Sequence, residues 1–208
     1  MAEEMKRVTL LKSGEATYVE KKSEFIGYAR PVSSEEEAIE FVKSIKKKHS
    51  DARHNVYAYM IGQNILRYSD DGEPQGTAGM PVLDVIRKSG FTDAVIVVTR
   101  YFGGILLGAG GLVRGYTAAA KMAVDDAGIV TYNSYAELDL TVNYTDYGKL
   151  TVTLAEADPI NDGIDFAENV TLSIALPVDK VEAFRSQVCE ITAGRAVFTE
   201  KGVRFDKQ

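Results

Sequence analysis

The chain has 208 residues and a formal net charge of −6, and its 45% apolar and 26% charged residues are typical of a globular protein. This length allows one large or two small domains with hydrophobic cores of their own. Residues 1–132 contain 17 Lys+Arg and 17 Asp+Glu, whereas residues 133–208 contain 7 and 13 and carry the whole net charge. A uniformly basic nucleic-acid-binding protein is excluded, since such proteins bind by neutralising phosphates. A local basic patch in the first part stays open.

The sequence also indicates a compartment. The first residues lack the apolar stretch of a signal peptide, and no apolar run approaches the length of a membrane span, so we expect a cytoplasmic protein with no membrane partner. The single cysteine, Cys189, excludes an intrachain disulfide. One cysteine and two histidines argue against a zinc site, and we expect neither a metal nor a cofactor.

The first part of the chain alternates between strand and helix patterns. Residues 16–32 predict paired strands, and Ser34 with Glu37 has the capping-box spacing at the start of a helix that ends near three lysines. His49 follows these lysines, and we expect it to be solvated. The pattern then predicts strands at 55–62 and 65–68, a short helix at 77–88, a strand at 94–99, and a helix at 110–127 that stops at Gly128.

The pattern restarts near residue 131. It predicts a strand at 136–143, a helix at 147–157, strands at 160–166 and 170–176, a helix at 181–192 and a strand at 196–200. This β-α-β-β-α-β order is the split βαβ, ferredoxin-like arrangement. We therefore expect an α+β protein with two domains, 1–132 and 133–208. The edge strands of the second domain make it a candidate for a protein contact or a homodimer.

Two glycine-rich segments are the most informative feature of the chain: residues 68–79 (YSDDGEPQGTAG) and residues 100–115 (RYFGGILLGAGGLVRG). Clustered glycine indicates positive φ angles or close backbone approach. The second segment is not a Walker A loop, since no Lys-Ser/Thr pair follows its glycines, and not a dinucleotide fingerprint, since Val113 stands where the third glycine is needed. Its glycines serve either an anion at a helix N-terminus or tight packing of a helix on a sheet. We expect the two segments to meet in one solvent-accessible recess.

These residues, with VVTRYFGG at 97–104 and LGAGGLVR at 107–114, resemble the signature of the YigZ/IMPACT family. The resemblance is close over about residues 15–128 and weaker beyond. It implies a first domain similar to the second domain of small-subunit ribosomal protein five, and a ferredoxin-like second domain similar to the last domain of elongation factor G. It also implies a connection with translation, because eukaryotic members regulate translation through the general-control kinase pathway.

Each candidate residue has two interpretations. The carboxylates in 70–73 either hold Mg²⁺ with a substrate phosphate or simply form a turn. Thr77 is either the helix N-cap or an anion-facing hydroxyl. Arg100 and Arg114 bind a phosphate or carboxylate, or else pair with the nearby carboxylates. His54 is a general base or a hydrogen-bonded structural residue, and the aromatic pair at 101–102 stacks on a base or belongs to the core.

Our leading hypothesis is a non-enzymatic, translation-associated protein that contacts RNA, the ribosome or a translation factor through a cleft in the first domain. The alternative is an enzyme that binds a small molecule or nucleotide phosphate with a carboxylate-held Mg²⁺. Both use the same candidate residues, which are His54, Asp70, Asp71, Glu73, Gly76, Thr77, Arg100, Tyr101, Phe102, Gly103, Gly104, Gly108, Gly110, Gly111 and Arg114.

Overall fold

The computed structural model describes residues 6–207. They divide into two compact units: Val8–Thr131, the N-terminal unit, and a C-terminal unit that takes the chain from Tyr132 onwards together with the residues before Val8. Both units combine helices with an antiparallel sheet, which confirms the predicted α+β class. Within residues 6–207, no helix is both long and apolar enough to cross a membrane.

The elements follow one another along the chain with few long connections. In order they are β1 (Lys6–Leu10), β2 (Gly14–Glu20), β3 (Ser23–Pro31), α1 (Glu35–Lys48), β4 (His54–Ile61), β5 (Ile65–Ser69), α2 (Gly79–Ser89), β6 (Ala94–Tyr101), α3 (Gly108–Ala127), β7 (Ile129–Val142), α4 (Tyr144–Ala157), β8 (Ile160–Phe166), β9 (Val170–Pro177), α5 (Val181–Thr192) and β10 (Val197–Lys207). A single 3₁₀ turn precedes α5.

The N-terminal unit is built around a sheet of order β2-β3-β6-β4-β5, in which every neighbouring pair is antiparallel. Alternate residues of the central strand β6 enter two different cores, as strand geometry requires. Ala94, Ile96 and Val98 pack with α2 and α3, whereas Val95 and Val97 pack with α1. The sheet therefore has one helix on one face and two on the other.

Local sequence signals account for the ends of two helices in this unit. The amide of Glu37 donates to Ser34 Oγ (3.3 Å) at the start of α1, as the capping spacing predicted. The Glu37 carboxylate accepts from the amide of Ser33 (2.7 Å) instead of that of Ser34. Helix α3 ends at Gly128, whose φ of 69° is one that glycine adopts readily.

Helix α3 lies unusually close to strands β2 and β3 because two glycines face it. A Cβ on Gly14 would overlap the backbone of Ala123 and Ala127, and a Cβ on Gly27 would overlap the carbonyl of Ala119. These contacts involve backbone atoms, which cannot rotate away as a side chain can. The close approach places α3 firmly on the sheet, and so positions the glycine-rich segment at its N-terminus.

The C-terminal unit has the sheet order β10-β7-β9-β8, with β1 also paired to β7. Together with α4 and α5 this is the ferredoxin-like order predicted from the sequence. Its core is formed by residues such as Leu138, Leu140, Leu172 and Phe184. The division between the units falls inside β7, which is continuous from Ile129, whereas the sequence suggested a restart at 131–134. The assignment of 1–132 and 133–208 as separate domains stays a prediction.

We expect Gly27→Ala to lower the free energy of unfolding by about 1–3 kcal/mol, since the new methyl group has no room against the Ala119 carbonyl. Gly110→Ala is the matched control, because Gly110 is exposed in the first turns of α3 and an added Cβ would meet only the Arg114 side chain, at an ordinary contact distance of 3.8 Å. It should be neutral or stabilise by up to about 1 kcal/mol. Urea unfolding of both variants checks this, and equal effects would contradict the packing argument.

Candidate functional site

The two glycine-rich segments meet through a buried ion pair. Oε1 of Glu73 accepts hydrogen bonds from Nη1 of Arg100 (2.6 Å) and from the hydroxyl of Tyr116 (2.8 Å). The side chains of Glu73 and Arg100 are only 4% and 8% exposed. Burial, with the adjacent Glu73 charge, raises the pKa of Tyr116, so this hydroxyl remains a donor. One carboxylate oxygen therefore joins the first segment to β6 and to α3.

A recess of about 470 Å³ opens where the segments meet. Its wall consists of Arg53, His54, Gly72, Glu73, Pro74, Arg100, Phe102, Leu106, Leu107, Gly108, Ala109 and Leu112. Five of these were candidates from the sequence: His54, Glu73, Arg100, Phe102 and Gly108. The leucines were missed, because an apolar residue next to glycine carries no signal of its own in the sequence.

Asp70 does not face the recess but caps α2. Its Oδ1 accepts from the amides of Ala78 (3.1 Å) and Gly79 (2.8 Å), and its Oδ2 accepts from the amide of Gly76 (2.9 Å). Of the two interpretations of Thr77, the N-cap is wrong, because its hydroxyl donates to the Pro74 carbonyl (2.7 Å) and the N-cap residue is Ala78. The start of α2, which could attract an external anion, is occupied by a carboxylate of the chain itself.

Asp71 turns towards α1 and β4. Oδ1 accepts from Nζ of Lys46 (2.6 Å) and Oδ2 from the amide of Asn55 (2.7 Å). The Asp71 carbonyl accepts from Nδ1 of His54 (2.8 Å), which leaves Nε2 of His54 3.8 Å from Glu73. The hydrogen bond to Asp71 agrees with the structural interpretation of His54.

The three carboxylates of this segment therefore bind three different sets of partners. Among residues 6–207, no group of three or more His, Cys, Asp or Glu side chains converges in a way that could hold a metal ion. The magnesium-dependent alternative needs Asp70, Asp71 and Glu73 on one ion, and their observed partners separate them. The geometry does not favour that alternative.

The glycines of the second segment differ in what they do. Gly104 (φ 83°) and Gly108 (φ 68°) adopt left-handed conformations and have open space around them, so they shape the exposed loop 104–108. Gly103 lies against the carbonyl of Lys22, and Gly111 against the Leu107 side chain. Gly110 is exposed with room to spare. Contacts therefore constrain Gly103 and Gly111, and the anion-binding interpretation of the glycine run stays a prediction.

Arg114 lies outside the recess. Its guanidinium donates to Glu20 Oε1 (2.9 Å), and this hydrogen bond lowers the pKa of Glu20 below its usual range. One interpretation of the sequence pairs Arg114 with the carboxylates at 70–73. The partner is instead Glu20, because α3 turns the Arg114 side chain towards the end of β2. Arg114 therefore contributes to the surface beside the site and not to its interior.

Tyr101 faces the opposite side of the sheet from Arg100, because successive strand residues alternate. Its hydroxyl donates to Asp51 Oδ1 (3.0 Å) and contacts Nδ1 of His49 (2.9 Å), whose Nε2 contacts the Tyr28 hydroxyl (2.7 Å). His49 is only 9% exposed, so its predicted solvation is wrong. Tyr101 and Phe102 do not form one aromatic platform, and only Phe102 lines the recess.

The cations near the recess lie at one end of the N-terminal sheet. β4 begins at His54, β6 ends at Tyr101, and the antiparallel register places His54 opposite Arg100. Arg53, just before β4, is exposed and forms no ion pair with a described residue. Nε of Arg100 is buried without a hydrogen-bond partner among residues 6–207. Arg53 therefore keeps solvent-accessible donors at this end of the sheet, whereas the unused donor of Arg100 lies in the interior.

Apolar side chains adjoin these cations. Phe102 is 46% exposed and its ring centroid lies 5.7 Å from the guanidinium carbon of Arg100. Leu106, in the loop between the two left-handed glycines, is 86% exposed. Helix α3 begins at this loop with Leu107 as its N-cap, and within residues 6–207 no side chain caps its first amides. The site thus presents positive charge, uncapped amides and an aromatic face together.

Comparison with known proteins identifies the family. The Impact N-terminal domain matches residues 21–124, which lie wholly inside the N-terminal unit. The IMPACT family member YvyE of Bacillus subtilis is 40% identical over 209 residues, covering 96% of each chain. The chain belongs to the IMPACT family. YigZ of Escherichia coli, another member, is 35% identical and covers 89% of this chain and 94% of its own.

Further matches extend the comparison to the second unit and to eukaryotes. A domain of unknown function, DUF1949, matches residues 140–195. A crystal structure described as that of a hypothetical protein shares 32% identity and a TM-score of 0.61, covering 93% of this chain and 96% of its own. The rabbit protein IMPACT is 35% identical over 96 residues, which covers 43% of this chain and 30% of that protein.

We expect Arg100→Met to lower the free energy of unfolding by about 3–5 kcal/mol, because it leaves Glu73 charged and buried without its cation. Glu73→Gln combined with Arg100→Met should recover part of this loss. The matched control is Arg114→Met, which removes the solvent-exposed arginine of another Arg–Glu pair and should change stability less than Arg100→Met. Urea unfolding measures all three, and a harmless Arg100→Met would contradict the structural role of the pair.

The buried His49 predicts a pH dependence of stability. Burial, aided by Lys48, lowers its pKa below 6.5, against the opposing charges of Asp51, Glu15 and Glu24. The unfolded chain therefore takes up a proton near pH 6.5 before the folded protein does, and the free energy of unfolding falls as the pH drops from about 6.5 towards the lowered folded pKa. Urea midpoints between pH 5 and pH 8 should depend less on pH in His49→Gln; equal dependence would contradict this.

Proposed function

We propose that this IMPACT family member is a non-enzymatic RNA-binding protein that acts in translation and contacts single-stranded RNA through the recess of its N-terminal unit. The observation that carries the proposal is the combination, in the wall of one recess, of Arg53, which is exposed and forms no ion pair with a described residue, the Arg100 guanidinium and a half-exposed Phe102. Single-stranded RNA is recognised by stacking of bases on aromatic rings together with cations along the backbone.

The charge pairing inside the site decides which kind of anion it suits. Glu73 already neutralises one end of Arg100, and Asp70 occupies the start of α2. A polyphosphate needs several free cations at one point, and of the two arginines in the recess wall only Arg53 is without an ion pair to a described residue. A phosphodiester carries one charge per residue, and the free Arg53 and the uncapped start of α3 fit that demand.

The C-terminal unit supports placing RNA on the N-terminal unit. Most cations of this acidic unit are in ion pairs with its own carboxylates, namely Lys149, Arg185, Arg195, Lys201 and Arg204. A phosphate backbone would meet repulsion and few free donors there. We keep for this unit the role of a protein contact or homodimer surface, which light scattering of the purified protein tests.

We expect Phe102→Ala to weaken binding of a labelled single-stranded oligoribonucleotide of about 12 nucleotides by about 5- to 150-fold, the loss of one stacked base. Arg53→Gln should lower the slope of log affinity against log salt by about 0.7, the loss of one phosphate contact. Fluorescence anisotropy at several salt concentrations measures both.

Lys43→Gln is the control for these variants, because Lys43 is an exposed cation on α1, which covers the other face of the sheet. It should leave the affinity and the salt slope unchanged. Sedimentation with ribosomes at low salt then tests the connection with translation. The proposal fails if the protein binds no single-stranded RNA and remains wholly in the soluble fraction.

A further inference from the structure

The turn between β2 and β3 holds two lysines in an unfavourable backbone conformation. The register pairs Glu20 with Ser23, so the connection has two residues, Lys21 and Lys22. Their φ angles are 45° and 67°. Positive φ at both positions is the pattern of a type I′ turn, for which asparagine and glycine are strongly preferred. Lysine has neither the freedom of glycine nor a short side chain that can hydrogen-bond its own backbone, so the turn is strained.

This turn is fixed to the wall of the recess. Ser23, which is fully buried, accepts hydrogen bonds from the amide of Gly103 (3.3 Å) and from Nη2 of Arg100 (3.4 Å). A Cβ on Gly103 would overlap the carbonyl of Lys22. The lysine turn and the segment that carries Phe102 therefore pack directly on each other.

The turn also adds two cations to those that lie at this end of the sheet. β3 begins and β6 ends at the same end of the sheet, since their register places Phe25 opposite Arg100. Lys22 just before β3 and Arg53 just before β4 thus flank Arg100 on either side, with about 10 Å between the two outer strands. Lys21 and Lys22 are exposed, and neither forms an ion pair with a described residue.

We infer that Lys21 and Lys22 bind phosphates of the same single-stranded RNA whose bases reach Phe102. The RNA backbone then crosses the strand ends of the sheet, from the lysine turn past Arg100 to Arg53. The inference rests on the proposed function and extends it to residues outside the recess. A strained conformation persists where surrounding contacts impose it, and such positions cluster at functional sites. An Asn-Gly turn would be unstrained, but it would lack the two positive charges that the lysines supply.

Replacing the turn tests strain and binding in one variant. Lys21→Asn with Lys22→Gly supplies the preferred turn residues, and we expect its melting temperature to rise by about 2–4 °C. The same variant should bind the labelled oligoribonucleotide more weakly, with a salt slope reduced by about 1.4 for two lost phosphate contacts. A fall in melting temperature, or an unchanged salt slope, overturns the inference.

A second variant separates charge from strain. Lys21→Gln with Lys22→Gln removes the charges but keeps two side chains at positive φ, so the salt slope should fall while the melting temperature stays unchanged. It also measures the phosphate contacts independently of any change in stability. If wild type binds RNA and Arg53→Gln weakens it while both turn variants bind like wild type, this inference alone is wrong. If wild type binds no RNA, the proposed function fails and this inference fails with it.

Discussion

The buried ion pair between Glu73 and Arg100 is the interaction on which the candidate site depends. It joins a loop that follows β5 to the end of β6, and through Tyr116 it also reaches α3. Breaking such a pair leaves an uncompensated charge in the interior, which costs several kcal/mol. This pair therefore sets the loop geometry around the recess. It also engages Arg100, so a ligand must be held mainly by other cations.

The pairing of charges inside the unit also limits what the site can bind. Asp70 satisfies the start of α2 and Asp71 is neutralised by Lys46, so neither is available to a metal. The cations without an ion pair to a described residue lie at the strand ends of the sheet, on Arg53 and in the lysine turn. Such a distribution suits an extended ligand with one charge per repeat better than a compact ligand with many charges. Phe102 supplies the stacking face that single-stranded RNA uses.

Much of the fold could be predicted because its signals are local. The capping serine of α1, Gly128 after α3 and the β-α-β-β-α-β succession of elements in the C-terminal unit each depend on residues close in sequence. The cap of α2 could not be predicted in this way, since Asp70 lies nine residues from the amide of Gly79. Local rules offered Thr77 as one candidate for this cap, and Asp70 caps the helix instead.

The site was predicted in part for a similar reason. The meeting of Glu73 with Arg100 was one of the open alternatives, but no sequence rule chooses among the three nearby carboxylates. That Tyr101 turns away from Arg100 follows from strand alternation, once β6 is known to extend to Tyr101. The strain in the turn at Lys21 and Lys22 has no local signal, because lysine is an ordinary surface residue and only its φ angle makes it unusual.

Amide chemical shifts during a titration with a single-stranded oligoribonucleotide test the central claim most directly. The account predicts that the shifted amides cluster at one end of the N-terminal sheet, around Arg53, Phe102 and the loop 104–108, with the C-terminal unit little affected. Shifts confined to the C-terminal unit, or to the α1 face around His49, would contradict it.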